Sequence, residues 1–167
     1  ALTRVEKWLV LDAALQLAGA SGEQPDVQFV PAVAAAPLCT APWVLSLSHS
    51  GPWIATAAAK GPGIAVGVDV EQHKPRDFSR IDQFLGWTSP SQDQDHFYRR
   101  WTLAESLFKA AGGIQAKVSF ITLDCALQTL ASDTQQRSVN LSGYRYTAMW
   151  PRTGSNYTLC WLLRQVC

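Results

Sequence analysis

The first half of the chain alternates apolar and polar positions in three consecutive runs. These runs are WVLSLSHS at 43–50, WIATAAAK at 53–60 and IAVGVDVE at 64–71. Period-two alternation is typical of strands that pack one face. The turns between them read Ser-Gly-Pro and Gly-Pro-Gly, which favours pairing of each strand with the next. The pattern therefore predicts an antiparallel three-stranded meander.

Other segments follow a helical period. Residues 4–18 place apolar side chains mainly on one side, and residues 96–111 predict a second long helix that ends at Gly112-Gly113. A shorter helix is predicted around Phe78 to Leu85. The Pro- and Ala-rich stretch near the N-terminus predicts a loop with one short edge strand around Val27 to Val30.

The last third of the chain predicts three more antiparallel strands. They are KVSFITLDC at 117–125, YRYTAMWP at 144–151 and YTLCWLLR at 157–164. We find no internal repeat and no linker, so we expect a single domain over residues 1–167. The mixture of helices and antiparallel sheets predicts the α+β class, with the sheets packed against helices.

Composition narrows the function classes. Hydrophobic residues make up 47% and charged residues 16%, which is typical of a globular protein. A net charge of +1 gives no support for nucleic-acid binding, and no run approaches the roughly 18 apolar residues of a membrane span. Four cysteines without Cys-x-x-Cys spacing predict mostly buried thiols in a reducing compartment, hence a cytoplasmic protein.

The third alternating run carries two carboxylates on one face. Strand geometry directs the β-branched residues 64, 66, 68 and 70 to a core face, and Gly67, Asp69 and Glu71 to the other. We expect Gly67 to clear space beside Asp69, so that the two carboxylates can converge on a hard cation such as Mg²⁺. Taken alone, the segment is better explained as an acidic strand with one solvated face than as a metal site.

The second long helix adds a third carboxylate. Glu105 and Lys109 lie one turn apart on the same helix face, with Trp101 one turn earlier. Alone, the pair reads as an ordinary surface ion pair beside a buried Trp. Together with the strand, Glu105 could contact the metal or accept a proton, and Lys109 could neutralise a phosphate.

A Ser-Leu-Ser-His-Ser segment ends the first strand of the meander. A hydroxyl and an imidazole at a strand end, here Ser48 and His49, can bind a phosphate or a nucleotide. Adjacent strand residues point to opposite faces, and the chain has no Gly-x-Ser-x-Gly elbow. We therefore do not expect a Ser-His nucleophile.

In this order, SLSHS, VGVDVE and WTLAESLFK resemble the motifs of the 4′-phosphopantetheinyl transferases. The similarity is greatest to the larger, monomeric class typified by the surfactin synthetase activator, and it covers roughly residues 4–165. It implies a fold of two pseudo-symmetric halves, about 1–75 and 76–167.

The resemblance implies transfer of 4′-phosphopantetheine from coenzyme A to a serine of an acyl or peptidyl carrier protein, with release of 3′,5′-ADP. Such carriers serve fatty-acid, polyketide or nonribosomal peptide synthesis. The metal would be Mg²⁺, with Mn²⁺ as a substitute. The matching positions are Asp69, Glu71 and Glu105 as metal ligands, Glu105 also as general base, Lys109 beside the reacting phosphate, and Lys7, Ser48, His49 and Lys109 as coenzyme A contacts.

The chain departs from the family pattern in several places. Ala104 stands where the family usually has Lys, and the span from Glu71 to Glu105 is shorter than usual. The basic N-terminal segment is expected to be short or missing. These departures favour an alternative, a degenerate member that binds coenzyme A or a carrier protein with little transfer. A Mg²⁺-dependent phosphohydrolase is a third hypothesis.

Overall fold

The computed structural model describes residues 43–87, 89–111, 118–128, 135–151 and 156–167, with the backbone of two short strands nearer the N-terminus. Within these residues the helices are α1 (Phe78–Phe84), α2 (Gln94–Ala110) and α3 (Phe120–Gln128). The strands are β1 (Val27–Gln28), β2 (Leu38–Cys39), β3 (Trp43–Ser50), β4 (Trp53–Lys60), β5 (Ile64–Gln72), β6 (Gln136–Leu141), β7 (Tyr144–Met149) and β8 (Tyr157–Val166).

The strands form three antiparallel sheets. β1 pairs with β2, β3 pairs with β4, and a four-stranded sheet has the order β5-β8-β7-β6. Helices and antiparallel sheets together confirm the predicted α+β class. The short strand expected near Val27 is present, whereas the helix predicted over 4–18 and the stop at Gly112-Gly113 lie outside the described residues.

The predicted three-stranded meander is wrong in its last pairing. β3 and β4 form the expected hairpin, but β5 pairs with β8 from Ile64↔Gln165 to Gln72↔Tyr157. Alternation fixes the faces of a strand and leaves its partner open. The middle of β5 is buried throughout, from Val66 to Val70, so this strand lies between packed layers and has no solvated face.

The strand predicted over 117–125 is also wrong, because this segment contains helix α3. Its buried residues Leu123, Asp124 and Leu127 follow helical spacing, and the Ser119 hydroxyl accepts a hydrogen bond from the Thr122 N–H at its start. The β-branched residues of the segment favour a strand in a prediction from sequence, which explains the error. We missed β6 because its sequence, QRSVNL, is polar and occupies the sheet edge.

The core lies between the helices and one face of the four-stranded sheet. Leu103 and Leu107 of α2 pack there with Leu123 of α3 and Leu162 of β8. A second, aromatic cluster surrounds the first half of α2, with Trp87, Phe97 and Tyr98 at its centre. Burial on both sides therefore fixes α2 against β5 and β8.

The expectation of mostly buried thiols is wrong for the described cysteines. Cys160 is buried, but Cys125 and Cys167 are exposed. In the described part of the chain, no helix is both long enough and apolar enough to cross a membrane.

Candidate active site

The backbone of α2 touches the backbone of β5 at Gly67. A Cβ atom on Gly67 would lie 1.8 Å from the Ser106 carbonyl oxygen and 2.9 Å from the Ala110 nitrogen. The space that we expected Gly67 to leave for a ligand is thus filled by the helix. Only a glycine permits this approach, which brings Glu105 and Lys109 next to Asp69.

Asp69 is a buried carboxylate with one oxygen saturated and the other free. Its Oδ1 accepts hydrogen bonds from the Ser48 hydroxyl at 2.7 Å and from Lys109 Nζ at 2.8 Å. Its Oδ2 is buried and has no hydrogen-bond partner. A buried oxygen without a partner is costly, so its retention points to a ligand. Burial raises the pKa of Asp69, although Lys109 and Ser48 oppose the rise.

Lys109 is the cation of this site. Its Nζ also donates to the Val68 carbonyl oxygen at 3.0 Å, and its side chain is 10% exposed. The ammonium group therefore sits against the edge of β5, where it balances the charge of Asp69.

Glu105 is half-buried and lies among other carboxylates. Burial raises its pKa, the negative charges of Asp69 and Glu71 raise it further, and Lys109 lowers it. Asp69, Glu71 and Lys109 are therefore close enough to influence the ionisation of Glu105.

Glu71 lies one strand pleat beyond Asp69 and is held by a serine. Its Oε2 accepts a hydrogen bond from the Ser50 hydroxyl at 2.9 Å. His49 is exposed on the opposite face of β3, whereas Ser48 is buried, as strand alternation requires. Lys7 lies outside the described residues.

The residues fit a divalent cation, although they are not arranged as a closed cage. Among the described residues, no three acidic, His or Cys side chains are already gathered around one point. The unpartnered Asp69 Oδ2, together with the carboxylates of Glu71 and Glu105, nevertheless provides hard oxygen donors. Such donors suit Mg²⁺ or Mn²⁺, and the adjacent Lys109 balances part of their charge.

Sequence reasoning missed one residue that contacts the site, Ser50, whose hydroxyl donates to Glu71. Ser46 and Ser50 both contact β5 as Ser48 does, each accepting a hydrogen bond from a β5 backbone N–H, but Ser46 bonds to no carboxylate of the described residues. The signal was present in the strand, since every second residue from 46 to 50 is a serine. Ala104, in the motif position that usually carries Lys, packs half-buried against the aromatic cluster.

Comparison with protein-family models relates the chain to a known superfamily. A family model described as the 4′-phosphopantetheinyl transferase superfamily (ACPS) matches residues 65–161, more than half of the chain. This segment includes Asp69, Glu71, Glu105 and Lys109, whereas the serines of β3 precede it. A search of curated proteins found no match.

Proposed function

The chain belongs to the 4′-phosphopantetheinyl transferase superfamily, and we propose that it acts on coenzyme A and a carrier protein. It transfers 4′-phosphopantetheine to a serine of an acyl or peptidyl carrier protein and releases 3′,5′-ADP. The observation that carries this proposal is the buried Asp69, with one oxygen unpartnered, beside Glu105 and Lys109 within the matched segment.

In the proposed reaction, the carrier serine oxygen forms a bond to the phosphorus that bears pantetheine. The P–O bond of the pyrophosphate breaks, and its electron pair leaves with 3′,5′-ADP. Glu105 receives the serine proton, directly or through a water molecule. Burial, with the nearby charges of Asp69 and Glu71, raises the pKa of Glu105, which makes it a stronger base than an ordinary glutamate.

The roles of the three carboxylates and of Lys109 follow from the need to balance negative charge in the site. A pyrophosphate brings several negative charges towards three carboxylates, and a bound Mg²⁺ would neutralise them and polarise the phosphoryl oxygens. We assign Asp69, Glu71 and Glu105 as the residues that would hold it. Lys109, whose ammonium group donates to Asp69, would contact the reacting phosphate.

The coenzyme A contacts are assigned from the family motif. His49 is exposed at the end of β3 and can reach a phosphate group, and Lys7 and Lys109 are the other basic candidates. Ser48, the remaining residue of this assignment, is buried and donates to Asp69. We assign the chain to the larger, monomeric class of the family.

A second candidate function is binding without efficient transfer. Ala104 removes a positive charge that the motif usually places next to the general base, and it packs against the aromatic cluster. A degenerate member would bind coenzyme A or the carrier protein and leave the serine unmodified.

Intact-mass spectrometry separates the two functions. Apo carrier proteins of the fatty-acid, polyketide and peptide types are incubated with the protein, coenzyme A and Mg²⁺. We expect at least one carrier to gain the mass of a phosphopantetheinyl group, and none to gain it when the carrier serine is changed to Ala. If coenzyme A binds but no carrier gains mass, the transferase proposal fails and the binding function replaces it.

A further inference from the structure

The three serines of β3 contact β5 in a regular series. The hydroxyl oxygens of Ser46, Ser48 and Ser50 accept hydrogen bonds from the backbone N–H groups of Val68, Val70 and Gln72 at 2.9, 3.3 and 3.0 Å. Each partner lies 22 residues further along the chain, so β3 runs in the same direction as β5. The serine hydroxyls thus cover an edge of β5 that has no strand partner in its own sheet.

Two of these serines also have a carboxylate to bind. A serine hydroxyl that accepts from an N–H can still donate its own proton. Ser48 donates to Asp69 Oδ1 at 2.7 Å, and Ser50 donates to Glu71 Oε2 at 2.9 Å. In each case the carboxylate belongs to the residue just before the one whose N–H the serine accepts.

Among the described residues, Ser46 makes only the backbone contact and has no carboxylate partner. The residue in the corresponding position of β5 is Gly67, which has no side chain to receive the proton. Ser46 is fully buried, as expected of a residue whose contribution is to the packing of β3 on β5. The chain therefore contains an internal control for the other two serines.

We propose that Ser48 and Ser50 are positioning residues that orient the carboxylates of Asp69 and Glu71 towards the divalent cation. Each serine is itself fixed by a backbone N–H, so its donated hydrogen bond directs one carboxylate oxygen and leaves the second available. For Asp69 the second oxygen is the unpartnered Oδ2. Residues that orient metal ligands in this way typically change metal affinity by 10–100-fold when removed. The inference rests on the proposed function, since it assumes that these carboxylates bind a metal.

The test compares Ser46→Ala, Ser48→Ala and Ser50→Ala in the full chain. Mn²⁺ affinity is measured by the loss of the free-ion EPR signal, together with thermal stability without metal. We expect Ser46→Ala to lower the melting temperature and leave the Mn²⁺ dissociation constant within about twofold. Ser48→Ala and Ser50→Ala should each raise that constant about 10–100-fold.

Ser50 provides the conservative variant. It is half-buried, so Ser50→Ala should fold even if Ser48→Ala does not, and Ser50→Thr retains a hydroxyl and should restore most of the affinity. If both alanine variants match Ser46→Ala in Mn²⁺ affinity while the wild type binds Mn²⁺ and modifies a carrier, the positioning role is wrong and the transferase function stands. If the wild type binds neither Mn²⁺ nor Mg²⁺, both fall.

Discussion

Helix α2 carries two buried ion pairs, and they differ in how completely their charges are satisfied. Near its start, Arg100 Nε donates to Asp124 Oδ2 at 2.9 Å, and Gln128 donates to the same oxygen. The guanidinium of Arg100 also donates to the Ser89 carbonyl oxygen and stacks over Trp87. Near its end, Lys109 binds Asp69 at 2.8 Å.

The second pair is less completely satisfied than the first. Asp69 keeps one buried oxygen without a hydrogen-bond partner. The carboxylates of Glu105 and Glu71 lie nearby and add further negative charge. Burial is similar in the two pairs, with all four side chains at most 10% exposed. Burial of an ion pair therefore does not distinguish structural from functional roles. The distinguishing feature is the concentration of unsatisfied negative charge, which stability alone would not retain.

The largest expected difference between the pairs is in activity. Asp69→Ala and Glu105→Gln should each lower transfer by more than about 10³-fold, the amount that one charged group on a transferring phosphoryl can contribute. Asp124→Asn should retain wild-type activity per folded molecule. Mass-spectrometric transfer assays, normalised by circular dichroism, measure both. Near wild-type transfer by either active-site variant would refute its assignment.

Stability should show the opposite order. Asp124→Asn leaves the buried Arg100 without its anion, and we expect a loss of about 3–5 kcal/mol in the free energy of unfolding. Asp69→Asn should cost less, because burial already opposes the charged form of Asp69 and raises its pKa. Urea denaturation without metal measures both. Equal losses would contradict the contrast between the two pairs.

The contact that brings α2 to Asp69 can be tested at one position. Gly67→Ala places a Cβ against the Ser106 carbonyl, and the helix must move away. Overpacking of this kind typically costs about 1–3 kcal/mol. We expect that loss in urea denaturation, accompanied by weaker Mn²⁺ binding because Glu105 and Lys109 move with the helix. Unchanged metal affinity would show that the close approach does not set the site geometry.

These residues also show what the sequence could predict. Period-two and helical spacing correctly placed Asp69 with Glu71 and Glu105 with Lys109, because side-chain direction follows from the local backbone. Their meeting depends on β5 leaving β4 for β8 and on a backbone contact at Gly67. Neither is encoded locally, since strand partners and helix approach are decided by the packing of the whole chain.

The smallest expected effect is on the pH dependence of stability. The folded pKa of Glu105 is raised, so the folded state binds this proton more tightly, and stability falls as pH rises from the unfolded value near 4.5 through the folded pKa. Glu105→Gln removes this loss. Without metal, the variant should melt above the wild type at pH 7 and lose that advantage below pH 4.5.

Saturating Mg²⁺ provides the control for that experiment. Because a ligand that binds only the folded state stabilises it, Mg²⁺ should raise the melting temperature of the wild type more than that of Glu105→Gln. A variant that melts below the wild type at pH 7 without metal would contradict the raised pKa.

The central claim is that Asp69 and the neighbouring carboxylates bind a divalent cation when Lys109 turns from Asp69 to the substrate. A crystal structure with coenzyme A and Mn²⁺, recorded with anomalous scattering from manganese, tests it most directly. We predict a single strong anomalous peak coordinated by Asp69 and by the carboxylates of Glu71 and Glu105, with Lys109 turned towards the pyrophosphate. Bound coenzyme A without an anomalous peak at Asp69, and with Lys109 still bonded to its Oδ1, would contradict it.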